Sequence, residues 1–394
     1  MLKIIRDKAS NGEKVSKYEA IELFKTDDIF SLGEIASSVA EKKNGKKVSF
    51  IRNRHINPTN ICINRCRFCA FSRSKGEKGA FELSIDDIIQ KIQPHYSGFN
   101  NPSSPPYPPS TSHDLTKGGQ ERGKGSPTSP PFYKGGKGGI KEVHIVGGLH
   151  PDWPFDYYLN MLSAIKRNFP GLHIKAFTAV EIDYMSRISG FSLEETLLSL
   201  KRSGLDSMPG GGAEIFDSDI RGRLCPEKLS GERWLEVMET AHRLGIKTTA
   251  TMLYGHIESY KHRIDHLFRL RDLQDRTGGF QAFIPLSYHP IGTEIGGFYS
   301  SGIDDLKTIA VSRIVLDNFD HITAYWIMLG EKISQLSLLF GADDLSGTVI
   351  EEKITHSAGA LSSESMTPEQ LINLVKKAGK VPVERDSFYR EIES

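Results

Sequence analysis

Apolar and polar positions along this chain follow two periods that take turns. Runs in which nearly every residue is apolar or β-branched, as over 247–254 and 280–287, read as strands buried on both faces of a parallel sheet. Between them apolar residues recur at three- and four-residue spacing, the period of a helix with one buried face. Read this way, strands are predicted over 47–56, 142–146, 173–180, 205–208, 247–254, 280–287, 322–328 and 342–345. Helices are expected from Ser84 and over 155–168, 192–203, 231–244, 261–275, 302–318 and 332–339, with a last one opening at Thr367-Pro368. Local punctuation agrees: Ser84-x-x-Asp87 and Ser192-x-x-Glu195 are capping-box patterns, Gly245 is a stop, and proline suits the first helical position after Thr367.

Eight strands, each followed by a helical stretch, predict a (β/α)8 barrel of the TIM type, one domain over residues 1–394. The alternative is an incomplete six-stranded barrel with a C-terminal appendix, because Ala342-Asp-Asp-Leu345 is hardly β-like. Residues 95–139 interrupt the alternation with Ser-Pro-Pro-Tyr, Ser-Pro-Pro-Phe-Tyr and repeated Lys-Gly-Gly. Such a composition cannot bury enough apolar surface to offset its ordering entropy, so the segment reads as a disordered insertion between the first helix and the second strand.

Fifty basic and forty-nine acidic side chains leave a formal net charge of +1, without the basic excess of a nucleic-acid binder, and favour a small-molecule substrate. No apolar stretch is long enough for a signal peptide or a membrane span, so a cytoplasmic setting is expected. In a reducing compartment clustered cysteines are more often ligands or nucleophiles than cross-links. Three of the four cysteines, Cys62, Cys66 and Cys69, lie within eight residues, and three ligands leave one coordination position open. Cys225 stands apart and reads as a structural thiol.

In such barrels the active site is built from loops at the C-terminal strand ends. Here those ends carry the cysteine loop, Gly147-Gly148-Leu-His150, Glu181, Pro209-Gly-Gly-Gly-Ala-Glu214, Tyr254-Gly-His256 and Tyr288-His289. His150, His256 and His289 are candidates for substrate contact or proton transfer. Asp343 and Asp344 are candidates for orienting such groups or for a helix N-terminus. Arg65 and Arg67 could tune the charge around the middle cysteine, dock an electron donor, or simply face solvent.

The Cys-x3-Cys-x2-Cys spacing after a first barrel strand, with Phe68 before the last cysteine, resembles the cluster loop of the radical S-adenosylmethionine superfamily. That resemblance implies a 4Fe-4S cluster held by Cys62, Cys66 and Cys69, with S-adenosylmethionine on the fourth iron. It further implies an aromatic contact to the cofactor from Phe68, receipt of its ammonium by the Gly147-Gly148 backbone, and a cofactor contact from Glu181. Leu149 stands where an acidic residue often follows the glycines. More closely, Pro209-Gly-Gly-Gly-Ala-Glu-Ile, His144-Ile-Val-Gly-Gly-Leu-His-Pro151 and Gly341-Ala-Asp-Asp-Leu-Ser-Gly-Thr-Val resemble the aminofutalosine synthase family of menaquinone biosynthesis. Its related dehypoxanthine futalosine cyclases share the cysteine loop and the glycine run. The resemblance implies addition of a 5′-deoxyadenosyl radical to 3-[(1-carboxyvinyl)oxy]benzoate. S-adenosylmethionine is then a co-substrate, and a one-electron donor such as flavodoxin or ferredoxin is a partner. An iron–sulfur electron carrier without catalysis is the alternative from another class.

Overall fold

The structure is a computed structural model that describes residues 1–96 and 138–392. The expectation of disorder over 95–139 falls almost wholly outside the described residues. His95 and Ile140, which flank it, are joined by a backbone hydrogen bond of 2.8 Å, so the chain on either side meets.

The strands are β1 (Lys47–Ile51), β2 (Asn53–Ile56), β3 (Glu142–Ile145), β4 (His173–Ala176), β5 (Ser207–Met208), β6 (Lys247–Tyr254), β7 (Phe280–Ser287), β8 (His321–Ile322), β9 (Asp344–Gly347) and β10 (Val381–Glu384). From β2 to β8 each pairs in parallel with the next in chain order, forming a seven-stranded sheet. The ring closes through β9: Thr323 bridges Asp344 beyond the end of β8, and β9 pairs in parallel with β1, which runs on into β2 past Arg52. The predicted first strand is therefore one stretch that changes partners midway. Parallel strands wrapped by crossover helices are covered on both faces, and β6 is buried at every position but its first.

Structure and expectation part at four places. Three helices, Leu2–Asn11, Lys17–Lys25 and Ile29–Asn44, precede the barrel where no element was assigned, and the third packs on helix Gly302–Val315. The third predicted strand stops at Ala176, because Thr178 caps helix Ala179–Ser189 and Glu181 closes the capping box. The seventh is cut to His321–Ile322, since Trp326–Ser337 is helical. A short helix, Ser218–Leu224, and strand β10 were not expected.

The C-terminal segment closes the bottom of the barrel. β10 pairs with β1, and the following turn places Arg385 2.7 Å from Asp344, both buried. Ser387 and Tyr389 reach the N-terminal ends of β7 and β8: the Ser387 carbonyl accepts from Gln281 at 3.0 Å, and Tyr389 stacks on His321. Asp343 is taken up nearby by the buried Arg313, at 2.6 Å, and by His321. The two aspartates are thus held in buried ion pairs with arginines in the lower barrel.

Candidate active site

A cavity of about 350 Å³ runs down the barrel axis from the cysteine loop to Arg385 and Tyr389. Its upper wall is made of loops beyond the strand ends. Cys62, Cys66 and Cys69 all line it and are all free thiols. Burial pushes the Cys62 thiol up and the Cys66 thiol up to about 12, so in the bare pocket these sulfurs resist ionisation. A cationic centre is what would stabilise their thiolates. Among the described residues no three metal-binding side chains are placed to hold one ion. A cluster asks for one thiolate per iron rather than convergence on a single ion, and the three half-buried thiols of one loop fit that donor set.

The loop is braced from a segment that sequence reasoning passed over. The amides of Arg65 and Arg67 donate to the Glu227 carboxylate and the Leu224 carbonyl, tying residues 224–228 along the cysteines. Lys228, on that brace, lines the cavity with its ammonium 4.9 Å from the Phe68 ring centre and 2.6 Å from Glu214. Burial works against its charge, but Cys66 and Glu214 beside it outweigh that and push its pKa up. Cys225 lies on the same brace, free and buried. Of the two arginines, Arg65 turns back to its own loop, donating to Ser74, and Arg67 pairs with Glu294 at the exposed rim.

Glycine is required at the two runs by close approach. A Cβ on Gly148 would lie 2.2 Å from the Ile61 carbonyl oxygen, and one on Gly210 2.6 Å from that of Thr249. The glycines therefore press the second and fourth strand-end loops against their neighbours and open the cavity between them. Gly147 donates its N–H to Glu181 at 3.1 Å and Gly148 donates to Thr59 at 2.9 Å. With both N–H groups committed, what this pair can offer a ligand is carbonyl oxygen, the acceptor an ammonium needs. Glu181 also accepts from the Thr178 amide and hydroxyl, and burial raises its carboxyl to about 7. It lines the cavity as a helix-capping group that fixes the glycine loop, not as a strand-end carboxylate.

The three candidate histidines divide. His289 is on the cavity wall, donating from Nε2 to the Met328 carbonyl, and burial lowers its pKa. His150 and His256 are packed behind the wall. The first stacks on Trp153 and meets Glu82 at 3.1 Å; the second is held by Glu258 and the Leu253 carbonyl.

The lower wall is made of side chains carried by the strands themselves. His55 of β2, His144 of β3 and Lys175 of β4 stand in register, and the two imidazoles stack at 4.5 Å. Burial lowers His55 to about 3 and His144 to about 4, so both rings are neutral at pH 7. Lys175 pairs with Glu142 at 2.9 Å, both buried. Tyr325 and Glu352 complete this wall from the C-terminal third. None of these six was singled out from sequence; inward-facing polar residues in strands at matched register were the available signal.

A family model described as the radical SAM superfamily matches residues 132–270, and one described as the CofH/MqnC C-terminal region matches 277–394. The chain is 40% identical to the aminodeoxyfutalosine synthase of Thermus thermophilus, with 98% of this chain and 95% of that protein covered. It is 38% identical to the aminodeoxyfutalosine synthase of Streptomyces coelicolor, covering 98% and 92%. It is also 38% identical to the 5-amino-6-(D-ribitylamino)uracil–L-tyrosine 4-hydroxyphenyl transferase of Methanococcoides burtonii, covering 98% of each. Among solved structures, a methylornithine synthase aligns with a TM-score of 0.70 at 16% identity, over 96% of this chain and 97% of that one. The FeFe-hydrogenase maturase of Carboxydothermus hydrogenoformans aligns at 0.66 and 16%, over 99% and 80%. At that identity the likeness carries the fold alone.

Proposed function

The chain belongs to the radical S-adenosylmethionine superfamily, as an enzyme that transfers a group, and on that footing we propose that it is an aminodeoxyfutalosine synthase. In this reading it joins the 5′-deoxyadenosyl group of S-adenosylmethionine to 3-[(1-carboxyvinyl)oxy]benzoate in the futalosine route to menaquinone. The observation that carries it is one continuous cavity whose upper end holds thiols, glycine carbonyls and a buried carboxylate, and whose lower end holds polar strand residues. Near-full-length similarity to synthases supports the same reading.

A 4Fe-4S cluster with bound S-adenosylmethionine would supply the carbon radical, and Cys62, Cys66 and Cys69 are the side chains that would hold it. The rest is work for the protein. Gly147 and Gly148 offer carbonyl oxygens to an ammonium while Glu181 holds their loop in place. Phe68 with the Lys228 ammonium over its ring forms a flat, positive wall beside the thiols. The strand-borne residues below orient the acceptor, so that the two partners meet in attack geometry with water excluded. His289 is a substrate contact in this arrangement, whereas His150 and His256 act at one remove by fixing strand-end loops. A small one-electron donor, flavodoxin or ferredoxin, is the partner this chemistry requires.

A second reading has its own support: relatives named as tyrosine 4-hydroxyphenyl transferases align at 38% identity over nearly the whole chain. Product analysis separates the readings. Anaerobically reconstituted protein given S-adenosylmethionine and the enol-ether benzoate should consume both and yield one adenosyl-containing adduct. Consumption of L-tyrosine with 5-amino-6-(D-ribitylamino)uracil instead would establish the second reading. Free 5′-deoxyadenosine released with dehypoxanthine futalosine would establish a cyclase.

A further inference from the structure

Two imidazoles that stack face to face inside the cavity form no hydrogen bond with any described residue. Buried nitrogens normally find a partner, and each exception calls for an explanation. The third cavity histidine, His289, bonds to a carbonyl, and His173, His242 and His356 bond as well. His55 and His144 touch each other face to face, yet among the described residues neither ring forms a hydrogen bond, and His55 Nε2 is buried with none. Both line the cavity.

Their place in the barrel is informative. His55, His144 and Lys175 are each the last residue but one of their strands, and the pairing register sets them side by side. They form a belt one layer below the mouth. Gly147 lies three residues past His144, so the belt is set roughly 10 Å or less beneath the glycine loop. An aromatic ring with substituents on two positions spans a comparable length. Lys175 can only donate, and a neutral imidazole adopts whichever tautomer presents its N–H. The belt is thus a row of donors, its one cation balanced by Glu142 from the layer beneath.

We propose that His55, His144 and Lys175 form the receptor for the ring carboxylate of the substrate, with the stacked imidazoles donating to its oxygens and Lys175 turning to share them with Glu142. This rests on the synthase reading, in which the substrate carries two carboxylates. The one on the enol ether adjoins the double bond that reacts beside the cofactor. The one on the ring is at the far end, where the belt is. His55 and His144 are in this account substrate-binding residues, and they select an aromatic acid over its uncharged analogues.

The test compares two probes on the reconstituted enzyme: 3-[(1-carboxyvinyl)oxy]benzoate and its analogue with the ring carboxylate replaced by a carboxamide. Wild-type protein should bind the acid at least about tenfold more tightly than the amide, the range of a charge-assisted hydrogen bond. His144→Phe keeps the stack and removes the nitrogens. It should weaken the acid by about tenfold or more, leave the amide nearly unchanged, and keep the response of the reduced cluster's paramagnetic resonance to S-adenosylmethionine. His55→Phe should act in the same direction. Equal binding of acid and amide by the wild type overturns the proposal without any variant. Undiminished acid binding by a folded His144→Phe overturns it as well. If the wild type binds neither probe but binds L-tyrosine, the synthase reading itself has failed, and the belt's assignment with it.

Discussion

The two ends of the cavity are built by different means. The upper end is main chain and sulfur: three thiols, two glycine runs pressed against neighbouring carbonyls, and a brace over 224–228 that fixes the cysteine loop. The lower end is side chain, with His55, His144 and Lys175 on consecutive strands and Arg385 and Tyr389 brought up from the C-terminus. Loops can take up a cofactor by their backbone whatever the downstream reaction. Residues anchored in strands are held more precisely than residues on loops, which suits them to telling one acceptor from another. The family models divide in a related way, since the stretch matched by the CofH/MqnC C-terminal model, 277–394, contributes His289, Tyr325 and Glu352 to the wall.

The comparison breaks most completely at Cys66. Cys66→Ser should abolish cluster assembly, seen as loss of bound iron and of the reduced paramagnetic signal, and with it all cleavage of S-adenosylmethionine; thermal unfolding of the apo-protein should barely move. At the other end, Arg385→Met strips the partner from a fully buried Asp344. Removing one member of a buried pair costs about 3–5 kcal/mol. Denaturant unfolding should record that loss, while the folded fraction still binds S-adenosylmethionine normally.

Glu181 makes a pH prediction. Its carboxyl is raised by burial to about 7 in the fold, against an ordinary 4.5. A raised acid favours the folded state when protonated. Its contribution is therefore complete below pH 4.5 and is lost as the pH climbs through about 7, by about 3 kcal/mol at most. Glu181→Gln should flatten that slope in the apo-protein. An unchanged slope would show that the group does not titrate in this window. The smallest effect is expected from the insertion: because His95 and Ile140 are hydrogen-bonded neighbours, replacing 97–137 by a short linker should leave turnover and melting temperature as they are.

How much of this was legible beforehand follows the same division. The alternation of periods gave the barrel, and the cysteine spacing and glycine runs pointed to the upper end, because loops carry their chemistry in contiguous residues. The lower end escaped because its members are scattered from 55 to 389 and meet only through strand register. His144 was in view inside a motif, but the reading placed weight on His150, which the structure turns behind the wall onto Trp153. Glu181 was found, with the wrong element assigned, since Thr178-x-x-Glu181 is a capping box embedded in an apolar run. Lys228 had no local signal; its partner Glu214 lies fourteen residues away and the helix Ser218–Leu224 brings them together.

The central claim is that cofactor and acceptor enter one cavity at opposite ends. Isotope-resolved paramagnetic resonance of the reduced, loaded enzyme tests it most directly. S-adenosylmethionine labelled with ¹⁵N at the amino group should show strong hyperfine coupling to the cluster, and substrate labelled with ¹³C at the ring carboxylate should show none. Coupling from the ring carboxylate would place that end of the substrate against the cysteine loop and contradict the account.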